Sequence, residues 1–201
     1  MIEELSDEPL HVCVCCDGKP SLFVAHCGQL DLIGEGSTED EAISRLKKTI
    51  EIQYHIYEDK DSDFWAQSEG QWLECHQAAP LGSPEDSDFV IERRRRANSS
   101  EVVNVQMKID KTCRIITNKD SWCEEYPLNK LMKILSTKRI SWRPSEEVDY
   151  GYFFGHWPAG SDGPLQSYTF HAPPDAMVRW YHLRSIASRF GLDDLREMTR
   201  T

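Results

Sequence analysis

Residues 34–50 read GEGSTEDEAISRLKKTI. Two glycines close a short extended piece, "DLIGEG", and a helix opens directly after them. Thr38 and Glu41 have the Thr-x-x-Glu spacing of a capping box, in which side chains satisfy backbone N–H groups left over at a helix start. Glu39, Asp40 and Glu41 place negative charge at the positive end of the helix dipole. Ile43, Leu46, Ile50, Tyr54 and Tyr57 then recur at steps of three and four, the single apolar stripe of a helix lying on a core. Arg45, Lys47, Lys48 and Glu51 fall off that stripe and are expected in water. The helix gives out in "YEDKDSD".

Upstream, "LHVCVCCDG" reads as a strand ending in an Asp17-Gly18 turn, and "KPSLFVAHCGQL" as its hairpin partner. "DLIGEG" is a third strand. Downstream, residues 78–88 have loop composition, and "FVIERRRR" begins as a strand. "EVVNVQMKI" alternates Val103, Val105, Met107 and Ile109 on one face, with "CRIIT" as a hairpin partner. The first unit thus reads β-β-β-α-β. Further on, Pro127 stands near a helix start, followed by Leu128, Leu131 and Leu135 on one face. "ISW", "YGYFFGHW" and "LQSYTFHA" are strands, with "PAGSDGP" as a turn. The late helix in "PPDAMVRWYHLRSIASRFG" takes Asp175 as its cap, Trp180, Leu183, Ala187 and Phe190 as its stripe, and Gly191 as its end. "LDDLREM" adds a helical turn. This unit reads α-β-β-β-α. The expected class is α+β, with one domain at residues 8–97 and a second, basic α/β domain at 98–201.

The chain has 201 residues, 39% of them hydrophobic, enough for a core. No apolar run approaches the ~20 residues of a membrane helix. The acidic start, "MIEELSDEPL", lacks the basic head and apolar middle of a signal peptide, so a cytoplasmic protein is expected, with no membrane partner. Seven cysteines without a secretion signal are expected as thiols. Alternation puts His11, Cys13 and Cys15 on one strand face and Cys16 on the other. With His26, Cys27, Cys75 and His76 these are zinc-ligand residue types, but their spacing fits no common zinc module. No metal and no cofactor are expected.

The net charge of −11 conceals an asymmetry. Residues 1–92 hold 5 Lys+Arg and 21 Asp+Glu, net −16, whereas residues 93–201 hold 18 and 13, net +5. The switch falls at Arg93, Arg94, Arg95 and Arg96. Clustered arginines give a salt-sensitive, sequence-blind affinity for phosphate. They also serve as edge-strand guards, or as partners for an acidic neighbour.

The hairpin followed by "FVAHCGQLDLIGEGSTEDEAISRLKKTIEIQ" resembles the N-terminal domain of HicB-type antitoxins over about residues 10–57. The elements that carry the likeness are Phe23 and Ala25 on a strand, the segment 30–32, Gly34, and Thr38, Glu41 and Ala42 opening the helix. Leu46 and Ile50 continue its stripe. The resemblance implies a partial ribonuclease-H-like fold that binds a protein partner, toxin-like in kind, and does not catalyse. The expected partner is such a protein or a second copy of the chain in a dimer, with RNA as a further candidate. HicB proteins usually add a DNA-binding segment, and no ribbon-helix-helix or helix-turn-helix is recognisable here. The second unit is similar in element order to the double-stranded-RNA-binding-like fold of HicA-type toxins. "LNKLMKIL" stands for their first helix and "LRSIASRFGL" for their last. Where that family carries a Gly-Ser-His-His segment, this chain has "YGYFFGHW", with Tyr152 and Phe153 about where the histidines fall.

Two sets of residues are candidates for catalysis. Asp17, Glu41 and Asp88 follow the order of carboxylates that hold two Mg²⁺ ions in ribonuclease-H enzymes. Each also has a plainer role: a turn residue, a helix cap and a residue of an acidic loop. His156 and His171 are candidates for general acid and base. The reading is therefore a non-catalytic protein of toxin–antitoxin descent that binds a protein partner or RNA. The alternative is a ribonuclease-type enzyme or RNA-binding protein acting through the basic half.

Overall fold

A computed structural model describes residues 2–4, 8–18, 22–60, 64, 82–93, 102–173 and 175–200; for 2–4 and 112–114 it describes the backbone alone. The class is α+β, and the chain divides into two compact units, Met1–Ile116 and Thr117–Thr201.

The first unit is built on a long strand, β6 (Val102–Ile115). Along one edge it pairs in parallel with β1 (Ile2–Glu4) and then β2 (Leu10–Cys16). Along the other it pairs antiparallel with β5 (Glu85–Glu92). From β2 the sheet continues through β3 (Phe23–Cys27) to β4 (Leu32–Gly36), all antiparallel. The helix α1 (Glu39–Glu58) follows β4 and packs back on it and on β3.

This packing has a simple cause. Val14, Ala25 and Gly34 form one cross-strand row, shrinking in size toward β4. A Cβ on Gly34 would lie 2.3 Å from the carbonyl oxygen of Ala42 and from the amide nitrogen of Leu46. A Cβ on Gly36 would lie 2.4 Å from the amide nitrogen of Ala42. The helix backbone therefore lies directly on the backbone of β4, and only glycine leaves room for it. The stripe Ile43, Leu46, Ile50, Tyr54 and Tyr57 is buried, as its spacing predicts. Phe64 closes over its end, edge-on to Tyr54 and Tyr57 at 5.6 and 5.9 Å.

The residues off the stripe are half-buried and paired, not simply solvated. Arg45 meets Glu41 at 2.6 Å, Lys48 meets Glu51 at 3.1 Å, and Lys47 donates to Ser87 of β5 at 2.9 Å. The cap is also offset from a strict capping box. Thr38 Oγ1 accepts from the N–H of Glu41 at 3.1 Å, but the Glu41 carboxylate turns to Ser37, accepting from its N–H at 2.7 Å and its hydroxyl at 2.6 Å.

Three expectations for this unit change. The boundary falls between Ile116 and Thr117 and not at 97/98, because β6 belongs to the first sheet. "CRIIT" is not a hairpin partner; it is the end of the same 14-residue strand, which runs on beside β2. The loop expected through residue 88 gives way at Glu85, where β5 starts pairing with Ile109.

In the second unit, α2 (Leu128–Thr137), β8 (Ser141–Pro144), β9 (Tyr150–His156), β10 (Leu165–His171) and α3 (Trp180–Phe190) follow in the expected α-β-β-β-α order. The three strands form an antiparallel sheet with β9 central. Two short strands, β7 (Glu125–Pro127) and β11 (Met177–Arg179), pair with each other and bring the starts of the two helices together. Because β11 intervenes, Asp175 does not cap α3; its N-cap is Arg179, with no side-chain cap bond. Gly191 ends α3 in the left-handed conformation, φ 63°.

The core holds Phe153, Tyr168, Phe170, Tyr181 and Phe190, all fully buried, and His182 of α3 packs against Tyr168, Phe170 and Tyr181. A final turn, α4 (Leu195–Met198), is tied back by Lys138, whose ammonium donates to Asp194 at 2.6 Å. That bond holds the Asp194 carboxyl below its ordinary range. Among the described residues no helix is long and apolar enough to cross a membrane.

The close approach at Gly34 sets a prediction. Gly34→Ala lowers the stability of the first unit by about 1–3 kcal/mol, the usual cost of overpacking. Gly82→Ala, whose Cβ meets nothing within 4 Å, leaves it unchanged. Urea unfolding with amide exchange of α1 as the readout distinguishes the two; equal stability of both variants would contradict the close contact.

Candidate functional site

The three candidate carboxylates stand apart. Asp17 follows β2, its N–H donating to Leu22 O at 3.2 Å, and Gly18 after it has φ 67°. Glu41 is held in the first turn of α1 by Ser37 and Arg45. Asp88 is exposed on β5, paired with Gln106, and β6 separates that strand from β2. Among the described residues no group of three or more His, Cys, Asp or Glu side chains could hold a metal ion. Two-ion hydrolysis needs carboxylates converging on one point, and these do not converge.

The cysteine-rich hairpin is a packed element. Cys13, Cys15 and Cys27 are buried thiols, Cys16 is half-buried and His11 is exposed. Cys75 and His76 lie outside the described residues. Opposite Cys13 on β3 stands His26, fully buried, and its Nε2 lies 3.1 Å from Asp31 Oδ1. Asp31 is itself buried and sits at φ 47° in the β3–β4 turn. This pair was not legible as a site. Its residues are five apart across a tight turn, and only the hairpin register shows that they meet.

β5 ends at Glu92, and Arg93, the next residue, is half-buried. Arg94, Arg95 and Arg96 lie outside the described residues. The charge division also moves. Counted over Thr117–Thr201, the second unit has 11 Lys+Arg and 11 Asp+Glu, a net charge of zero. Met1–Ile116 has 12 and 23, net −11, the entire excess of the chain. Of the basic residues counted in 93–201, the four arginines 93–96 precede β6 and Lys108, Lys111 and Arg114 lie on it, all within Met1–Ile116. One of them, Lys111, lies 3.0 Å from Glu85 and 3.9 Å from Glu39. Hydrogen bonding to Glu85, then the charges of Glu85, Glu39 and Asp40, raises its pKa.

In the second unit the two histidines are at opposite ends of one hairpin. His156 closes β9 opposite Leu165, and His171 closes β10 opposite Tyr150. Six strand steps separate them, about 20 Å at the rise of a β-strand. An acid–base pair needs hydrogen-bond reach of one reacting group, so they do not form one. His156 Nδ1 bonds the Gly163 carbonyl at 2.6 Å, and His171 stacks edge-on to Tyr150 at 5.2 Å. Phe153 is fully buried in the core, while Tyr152 is half-buried on the opposite sheet face. A buried hydrogen bond that the sequence does not signal joins Tyr168 Oη to His182 Nδ1 at 2.8 Å.

What this unit does have is an open cleft of about 440 Å³ between the start of α2 and the β8–β9 turn. Its volume is within the range of ligand sites.

These features define the class of protein: two α+β units in which neither the three candidate carboxylates nor the two candidate histidines converge. No protein-family model matches the chain, and no curated protein or solved structure does.

The buried pair on the hairpin is testable. Asp31→Ala leaves His26 without this hydrogen bond and destabilises the first unit by about 1–3 kcal/mol. Asp31→Asn keeps an acceptor and tolerates the left-handed backbone, and so costs less. Urea unfolding measures both, and equal losses would contradict the pairing as the reason for the aspartate.

Proposed function

We propose that this chain is a non-catalytic protein of toxin–antitoxin descent whose first unit binds a basic protein partner. The observation that carries the reading is the dispersal of Asp17, Glu41 and Asp88 on a unit that keeps the hairpin, third strand and packed helix of residues 10–57. A hydrolytic fold without converging carboxylates is left with its surfaces as the means of action. The element order α2-β8-β9-β10-α3 of the second unit agrees with the same descent.

The charge division favours protein over RNA. The first unit carries the whole net charge of −11, and the second is neutral. An acidic unit steers basic partners toward itself and phosphate backbones away. The partner is accordingly a small basic protein, encoded beside this one as toxin–antitoxin pairs are.

Co-expression tests the proposal. The neighbouring small basic protein and this chain are expected to elute as one stoichiometric complex that rising salt weakens. The basic protein alone is expected to arrest growth, and this chain to relieve the arrest. Separate elution with no relief, or a neighbourhood that encodes no such protein, overturns the reading.

A further inference from the structure

We propose that the cleft between α2 and the β8–β9 turn is a second docking site, which receives a short basic, partly apolar segment of a partner protein. The site lies within the second unit and does not depend on the descent proposed for the first.

The floor of the cleft is apolar and fixed. Trp142 lies flat over Gly151, so close that a Cβ there would fall 2.1 Å from the indole. The same ring packs on Phe153 at 4.8 Å and on Phe170 at 5.4 Å. The ring is thereby held by the core and, half-buried, lines the cleft. Leu128 and Met132 of α2 form the facing wall. Packing of this kind gives an apolar slot that needs no rearrangement before a ligand enters, which lowers the entropic cost of binding.

The lip is acidic. Glu146, Glu147 and Asp149 line the cleft on the β8–β9 turn, and no Lys or Arg is among its described lining residues. The turn is tied down at both ends. The N–H of Ser145 donates to Tyr150 O at 2.9 Å, and the N–H of Ala172 donates to Asp149 O at 2.7 Å. Val148, between the acidic residues, is 83% exposed, an apolar contact offered beside the charges.

The occupant follows from this complementarity. A cationic head meets the three carboxylates, and the aromatic faces of Trp142 and Tyr150 favour the same cation. The aliphatic stem of an arginine or lysine, or a neighbouring leucine, fills the apolar floor. An acidic peptide or a nucleic acid would bring like charge to the lip. The fit is to an extended segment with alternating basic and apolar residues, at the modest affinity of a short peptide.

The test uses the full chain, isotopically labelled for amide NMR, and three capped tetrapeptides. One alternates leucine and arginine, one has citrulline for arginine, and one has glutamate. The arginine peptide is expected to shift, saturably, amides around positions 128–132, 142–150 and 172, with the other two several-fold weaker. Glu146→Gln combined with Asp149→Asn neutralises two lip charges, and the asparagine suits the φ of 60° at that position. This variant is expected to keep its fold and to weaken the arginine peptide roughly three- to tenfold. Four results would overturn the proposal: no saturable shift, shifts confined to other regions, equal binding of the citrulline peptide, or unaltered affinity in the folded double variant.

Discussion

The first unit depends on the contact between the backbone of β4 and the backbone of α1. Gly34 and Gly36 present no side chains to the helix, and Ala42 presents a small one in return. The helix can therefore approach closely enough for Leu46 and Ile50 to reach the sheet beneath. Everything else in the unit is arranged around that approach. The row Val14, Ala25, Gly34 narrows toward the helix start, and Thr38 and Glu41 fix where the helix begins. Lys47 then reaches the far edge of the sheet at Ser87, with its ammonium 5.7 Å from the Phe89 ring. A side chain at either glycine would lift the helix and loosen this whole series.

The same arrangement bears on function. Glu41 is committed to the helix start, accepting two bonds from Ser37 and an ion pair from Arg45. A carboxylate so engaged stabilises the start of α1. Charge points in the same direction. Once β6 is counted with the strands it pairs with, the basic half disappears as a structural entity: the second unit is neutral and the first is strongly acidic. Complementary charge on a protein partner is the natural counterpart of such a surface.

Much of this was legible in the sequence, and the failures have identifiable causes. The helix at residues 39–58 announced itself through its cap, its acidic first turn and its stripe, all local signals. The hairpin and third strand were equally plain. The long strand β6 was not, because "IDKT" interrupts its apolar alternation and reads as a turn. Lys111 can sit in that strand because Glu85 and Glu39 lie beside it, and neither is near it in sequence. Asp175 looked like a cap because the pairing of Val178 with Tyr126 is 52 residues distant and leaves no local mark. His156 and His171 looked like a pair until the hairpin register placed them at its two ends. The cleft depends on a helix and a turn meeting across the sheet, which no spacing rule encodes.

The central claim, that the chain acts by binding protein and not by cleaving or binding RNA, is tested most directly by incubating the purified full-length protein with labelled RNA. Single- and double-stranded RNA should be tried at low ionic strength with Mg²⁺, where electrostatic binding is strongest. The account predicts neither a mobility shift nor cleavage. Mg²⁺-dependent cleavage that Asp17→Asn abolishes, or a salt-sensitive shift that substitution of Arg93 and its three following arginines by alanine removes, would contradict it.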